Sequence, residues 1–130
     1  MARQYKFRGK TIEEITPLDI TKFSSMLTSR QRRSIKRLGY EYKELIEKVN
    51  ESIKTKSDKV IKTHIREAVI LPNWVGLKFG VYNGKEFKEM TITEQMLGHR
   101  LGEFSFSTKR VIHSAPGIRA TRGSKFLEVK

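Results

Sequence analysis

Apolar positions recur along this chain in two rhythms, helical in the first half and strand-like in the second. Thr16-Pro17 reads as a helix opening, with Thr16 as cap and Pro17 where a missing N–H costs nothing. Asp19 falls in the first turn, where the helix dipole favours an acid. Leu18, Ile20, Phe23, Met26 and Leu27 then supply one apolar stripe. The pattern stops near Thr28-Ser29, and Ser29 is placed to cap a second helix. Along that helix Leu38, Tyr42, Leu45, Val49 and Ile53 recur every three to four residues. Gly39 marks a bend or an interruption, and Glu44 with Lys48 forms a favourable i,i+4 pair. The two helices predict a helical hairpin.

Thr55-Lys56-Ser57-Asp58-Lys59 is a linker by composition. Beyond it Ala68-Val69-Ile70-Leu71 forms an apolar, β-like run that Pro72-Asn73 stops. Leu77, Phe79 and Val81 alternate with Lys78, Gly80 and Tyr82, as in a half-buried strand. Asn83-Gly84 predicts a tight type I′ hairpin, since both central residues of that turn need positive φ. A return strand is expected over residues 86–92. Thr93 then caps a short helix with Glu94 in its first turn. Met96, Leu97 and Leu101 are assigned to the interior, and Phe104 and Phe106 are expected to close the core. The pattern is α+β, an N-terminal helical hairpin followed by a small sheet with a short helix and an extended basic C-terminal tail. The expected organisation is a single domain over 1–130, with a basic arm at 1–15, a helical extension at 16–55, an α+β core at 60–107 and the tail at 108–130.

Composition adds a partner to this outline. Hydrophobic residues make up only 37%, below the roughly 45–50% of ordinary globular chains. The chain has 27 Lys and Arg against 14 Asp and Glu, a formal charge of +13 and a sequence pI near 10.2. Surplus charge of one sign repels itself, and clustered Lys and Arg form the electrostatic footprint of nucleic-acid binding. The charge is also clustered. Arg30-Gln31-Arg32-Arg33-Ser34-Ile35-Lys36-Arg37 has five cations in eight residues and no acid. Residues 1–10 hold Arg3, Lys6, Arg8 and Lys10 without an acid, and residues 104–127 contain no acid at all. That last stretch is read as a tail that orders on a partner. Zero cysteines exclude disulfides and fit a reducing cytoplasm. No apolar run approaches the roughly 18 residues of a membrane span, and none after Met1 resembles a leader, so no membrane partner is expected.

Catalytic vocabulary is sparse. His64 and Glu67 are three apart and His99 and Glu103 four apart, but one His with one carboxylate makes a poor metal site, since catalytic zinc takes three protein ligands. No P-loop, H-E-x-x-H or G-x-S-x-G occurs, and the two Asp, at 19 and 58, lie in helix-start and linker contexts. The expectation is therefore no catalytic residues, no metal and no cofactor. A hydrolase using His99 and Glu103 is the enzymatic rival. Arg suits phosphate because its planar fork takes two oxygens at once. The candidate RNA contacts are Arg30, Arg32, Arg33, Lys36 and Arg37 in the cationic run. Lys62, His64, Arg66, Lys78, Lys85, His99 and Arg100 are candidates in the core, and Lys109, Arg110, His113, Arg119, Arg122 and Lys125 in the tail. For a charge run the bland alternative is a solvated face, and the missing acids argue against it. Trp74 is assigned to the core rather than to base stacking. No DNA-recognition helix or zinc-finger spacing is present, and a basic globule with a long basic tail suits an irregular RNA. A chromosomal DNA-binding architectural protein remains the alternative.

Asn83-Gly84-Lys85, Ile92, Leu97-Gly98-His99-Arg100-Leu101-Gly102-Glu103-Phe104 and Ser107 together are similar to the signature of one family. That family is the universal small-subunit ribosomal protein numbered nineteen in bacterial naming and fifteen in the older eukaryotic naming. Lys62-Thr63-His64 and Ile70-Leu71-Pro72-Asn73-Trp74-Val75-Gly76 extend the match upstream in family order. Ser29-Arg30-Gln31-Arg32-Arg33 and the tail Pro116-Gly117-Ile118-Arg119-Ala120-Thr121-Arg122-Gly123-Ser124-Lys125 resemble the archaeal and eukaryotic branch. The lack of a longer Lys-rich N-terminus points to the archaeal type. The resemblance implies a small three-stranded sheet with helices. It implies binding to the 3′ major (head) domain of small-subunit rRNA, pairing with the neighbouring ribosomal protein numbered thirteen, and a C-terminal tail that extends toward the decoding region, near tRNA and mRNA.

Overall fold

Helix α1 (Ile12–Ile15) begins ahead of the Thr16-Pro17 pair, because Thr11 is its cap and Glu14 Oε2 accepts the Thr11 N–H at 3.2 Å. The computed structural model describes residues 5–110. Thr16 therefore ends a helix instead of opening one, and its hydroxyl donates to the Ile12 carbonyl at 2.8 Å. Phe7 and Lys10 form an isolated bridge, Phe7 packs on the core, and Ile15 is fully buried. The segment assigned to a basic arm is thus anchored by its apolar residues from Phe7 onward.

Helix α2 (Ile20–Met26) follows with Asp19 as its N-cap residue. Phe23 and Leu27 are buried as the stripe requires, whereas Ile20 is exposed. The next cap is Thr28, one residue before the expected Ser29, and helix α3 runs Ser29–Arg37. The second predicted helix is interrupted. Leu38 leaves helical geometry at φ −73°, ψ 36°, and helix α4 (Gly39–Thr55) starts anew. Tyr42, Leu45 and Val49 bury the α4 face, while Ile53 at its end is exposed.

The sheet has three strands in the order β1 (Ile61–Thr63), β2 (Lys78–Tyr82), β3 (Phe87–Thr91). Strands β1 and β2 are parallel, with Ile61 opposite Phe79, and β2 and β3 are antiparallel, with Phe79 opposite Met90. The hairpin is not the expected two-residue turn. Only Gly84 has positive φ, at +97°. Asn83 Oδ1 instead accepts the N–H groups of Lys85 and Glu86 at 3.0 and 2.9 Å, which stabilises a longer loop. An Asn side chain that mimics a backbone acceptor is the physical reason.

The apolar run 68–71 is fully buried but joins no regular strand. It pairs with residues 98–101 through Ile70 N to His99 O at 2.9 Å, Gly98 N to Ile70 O at 3.3 Å and Leu101 N to Ala68 O at 3.0 Å, and Arg66 just upstream accepts from Gly102 N at 2.8 Å. The helix expected after Thr93 is a single 3-10 turn, Glu94–Met96, and a second covers Leu101–Phe104. Leu97 and Leu101 are buried and Met96 packs at the core margin. Phe104 also lies at that margin, but Phe106 is 68% exposed. The Lys88 ammonium sits 5.6 Å over the Phe106 ring, so Phe106 does not close the core. The core joins α2, α4, the 68–71 run, Trp74, β2, Ile92, Leu97 and Leu101.

Tyr42 is the buried titratable group in this core. Its hydroxyl donates to the Val69 carbonyl at 3.1 Å, and burial pushes its pKa well above the ordinary tyrosine value. Above about pH 10 the unfolded chain releases this proton while the folded chain keeps it, so folding stability falls as pH rises there. Tyr42→Phe is expected to cost about 1 kcal/mol at neutral pH and to flatten the alkaline decline. Urea unfolding at pH 7 and pH 11 checks both, and an equally steep decline in the variant would remove Tyr42 as its source.

Candidate nucleic-acid interface

Helix α3 buries none of its residues, which is unusual for a helix inside a folded region. Arg30, Arg32, Arg33, Lys36 and Arg37 are all exposed on it. Ile35 packs partly buried against the core, and two polar side chains tie the helix to the neighbouring loop. Gln31 Oε1 accepts the Thr28 N–H at 3.2 Å, which caps the helix start. The other end of the same amide, Nε2, donates to the Gly98 carbonyl. One turn further on, Ser34 Oγ accepts a hydrogen bond from Arg100 Nη2 at 2.8 Å. The helix is clipped by both bonds to the loop that pairs with the 68–71 run.

Gly98 lets the same loop lie against Phe7 and the end of α2. Its φ is +75°, and a Cβ there would lie 3.1 Å from the Phe7 ring and 3.2 Å from Leu27 Cδ2. A larger residue would be strained and would separate the loop from α2.

The result is a groove lined by Arg30, Arg33, Ser34, Arg37, Leu38, Glu67 and Arg100. Arg30, Arg33 and Arg37 share one face of α3 because their spacing follows the helical repeat. Arg100 arrives from the far side of the sequence. Ser29, Arg30, Arg32, Arg33 and Lys36 border a second, adjoining concavity. Arg32 also donates to the Leu27 carbonyl at the end of α2, at 3.2 Å. Among the described residues Lys48 and Glu44 form an ion pair at 2.7 Å, and His99 Nδ1 lies 2.6 Å from Glu103 Oε2. No α3 cation is neutralised by either pair. With four guanidinium groups against the one carboxylate of Glu67, the groove attracts a polyanion and repels itself without one.

The remaining candidates divide by location. Lys62 and His64 lie together on the outer face of the sheet, against Phe87 and Tyr82. Lys78 begins β2 at the opposite end of that strand, and Lys85 sits in the hairpin loop. Both are exposed. Arg66 is committed to the fold, since its guanidinium donates to the carbonyls of Tyr82 at 2.7 Å, Gly102 at 3.1 Å and Ser105. His99 Nδ1 meets Glu103 Oε2 at 2.6 Å, and its ring lies edge-on to Phe104 at 5.8 Å. This pair is half exposed and caps a 3-10 turn, with Glu103 Oε1 also accepting the Arg100 N–H at 3.3 Å. Lys109 and Arg110 are exposed beyond Ser105. His113, Arg119, Arg122 and Lys125 lie outside the described residues, as does the rest of the tail from residue 111. Among the described residues no three of His, Cys, Asp or Glu gather as metal ligands, and no helix is long and apolar enough to cross a membrane.

Sequence reasoning missed Gln31 and Ser34 as the residues that aim the helix. A signal for Gln31 was present, since Thr28-x-x-Gln31 has the spacing of a capping box. None existed for its second bond to Gly98, which spans 67 residues.

The sequence pattern of the family described as Ribosomal protein S19 matches residues 33–113. The chain is 50% identical to small ribosomal subunit protein uS19 of Saccharolobus solfataricus over 131 aligned positions, covering 98% of this chain and 93% of that protein. It is 46% identical to small ribosomal subunit protein uS19 of Metallosphaera sedula, with the same coverage.

Proposed function

The chain belongs to the ribosomal protein S19 family, whose members are structural proteins of translation and not enzymes, and from that premise we propose that its cationic groove holds rRNA of the small-subunit head. The site of action is the ribosome in the cytoplasm. The RNA is the 3′ major domain, and binding works by neutralising phosphates and releasing their counterions. The observation that carries this reading is the convergence of Arg30, Arg33 and Arg37 on one face of α3 with Arg100 opposite. Helix α3 carries five exposed cations and no acid, a surface whose self-repulsion a polyanion would relieve.

The acid-free stretch from residue 104 to 127 supports a second region of RNA binding. We assign that tail to the decoding region, near tRNA and mRNA, with the ribosomal protein numbered thirteen as neighbour. The whole chain acts as one domain in this reading.

Salt dependence provides the test. In R30Q/R33Q/R37Q, affinity for a head-domain rRNA fragment should fall, and the slope of log K against log salt should become shallower by about 0.9 for each phosphate that is no longer neutralised. Circular dichroism should stay unchanged, because none of the three side chains is buried. Binding with an unaltered slope would remove α3 as the RNA face. Duplex DNA that competes as well as the rRNA fragment would favour a chromosomal architectural protein instead.

A further inference from the structure

The outer face of the sheet carries a feature that phosphate neutralisation does not use. Side chains alternate across a strand, and the register sets Lys62, Gly80 and Glu89 side by side on the face turned away from the core. His64 continues that face beyond β1, and Tyr82 pairs with Phe87 at the hairpin end. The three rings touch one another. His64 lies 4.7 Å from Tyr82 and 5.1 Å from Phe87, and Tyr82 lies 5.1 Å from Phe87. The Lys62 ammonium is 5.5 Å from the Phe87 ring. Gly80 lets this layer lie close to the backbone, because a Cβ there would stand 3.1 Å from Val60 and 3.6 Å from Phe87 Cβ.

We propose that this cluster is a stacking platform for an unpaired base of single-stranded RNA, with His64 as the stacking ring. The proposal rests on the RNA-binding reading above but concerns a different face and a different chemistry. A cluster that merely closed the hairpin would bury its rings. Here Tyr82 and Phe87 are half-buried supports and the His64 ring is left exposed. Every base has a π-face, so a supported exposed ring stacks bases without regard to sequence. Lys62 and the exposed Lys85 of the hairpin loop place positive charge on either side for the flanking phosphates. Glu41 and Glu44 of α4 line a cleft together with Lys48, Lys62 and His64, and Lys48 is paired with Glu44 at 2.7 Å. Glu89 lies on the same sheet face, beside Gly80.

The test compares binding of hexaadenylate RNA with that of an abasic hexamer of equal charge, using the full chain and fluorescence anisotropy. Wild type should prefer the RNA with bases. His64→Ala should lower its affinity roughly 5- to 150-fold, the equivalent of about 1–3 kcal/mol per stacked base, and leave the abasic hexamer untouched. His64→Trp should restore the preference, which a loss of folding could not explain. R30Q/R33Q/R37Q should weaken both probes alike and preserve their ratio. Equal binding of the two probes by wild type, or an unchanged ratio in His64→Ala, would overturn the platform while leaving the phosphate groove standing. Binding of neither probe at low salt would defeat the groove as well as the platform.

Discussion

Trp74→Ala is expected to cost the isolated protein about 3–5 kcal/mol of stability, the usual cost of truncating a buried Trp. The indole is 1% exposed and ends the 3-10 turn Pro72–Trp74. It stacks on Phe79 of β2 at 5.1 Å and 29°, and it meets Tyr42 of α4 at 6.3 Å. One side chain thus joins the helical part of the core to the sheet, and its loss opens a cavity between two layers that cannot both collapse inward. Domains of this size are commonly stable by only about 5–15 kcal/mol, so the variant should populate unfolded chain at room temperature. Urea denaturation followed by circular dichroism gives the number. A loss under about 1 kcal/mol would mean that the two layers are held together elsewhere. Trp74→Phe, which keeps a ring, should recover a large part of the loss.

Arg66→Met is expected to cost about 3 kcal/mol. Three backbone carbonyls, of Tyr82, Gly102 and Ser105, converge on one guanidinium. Hydrogen bonds to a charged group contribute about 1.5–3 kcal/mol each and are not additive, which sets the estimate. Arg66→Lys should rescue little, because an ammonium is a compact point and cannot span carbonyls that a planar fork reaches. Thermal melting of wild type, Met and Lys variants orders the three. If the Lys variant melts with wild type, charge alone suffices and the fork geometry is irrelevant. RNA affinity separates the two possible roles of this residue. A structural Arg66 lowers affinity in step with the folded fraction and leaves the salt slope of the folded protein alone, whereas a phosphate-binding Arg66 makes that slope shallower when it is replaced. The sequence pattern placed Arg66 among the RNA-binding candidates, and the geometry assigns it to the fold.

The distinction between such cations is where sequence reasoning stopped. Arg30, Arg33, Arg37 and Arg66 are the same residue type in a basic chain, and type alone cannot tell a free fork from one whose donors meet carbonyls 16 to 39 residues away. Helix identity was easier to read. The repeat of Tyr42, Leu45 and Val49 is local, and local period reports the buried face directly. Boundaries were less legible. The Thr16-Pro17 pair carries a valid opening signal, yet Thr11 with Glu14 carries a stronger one. Asn83-Gly84 marks the hairpin correctly, but the Asn83 side chain, by accepting two N–H groups, selects a longer loop than the dipeptide suggests.

Local and compositional properties were settled by the amino-acid order alone. They include the helical and strand rhythms, the excess of positive charge, the acid-free run of α3 and the motif spacing that marks the family. Each depends on residues close together in the chain or on simple totals. Folding settled the meeting of distant residues. Gln31 and Ser34 reach residues 98 and 100 and turn a charged helix into one wall of a groove. The 68–71 run pairs with residues 98–101 rather than entering the sheet. His64 comes to rest against Tyr82 and Phe87 only because β1 lies parallel to β2. Long-range hydrogen bonds and strand register fix these arrangements once the core has closed, and no local pattern in the sequence encodes them.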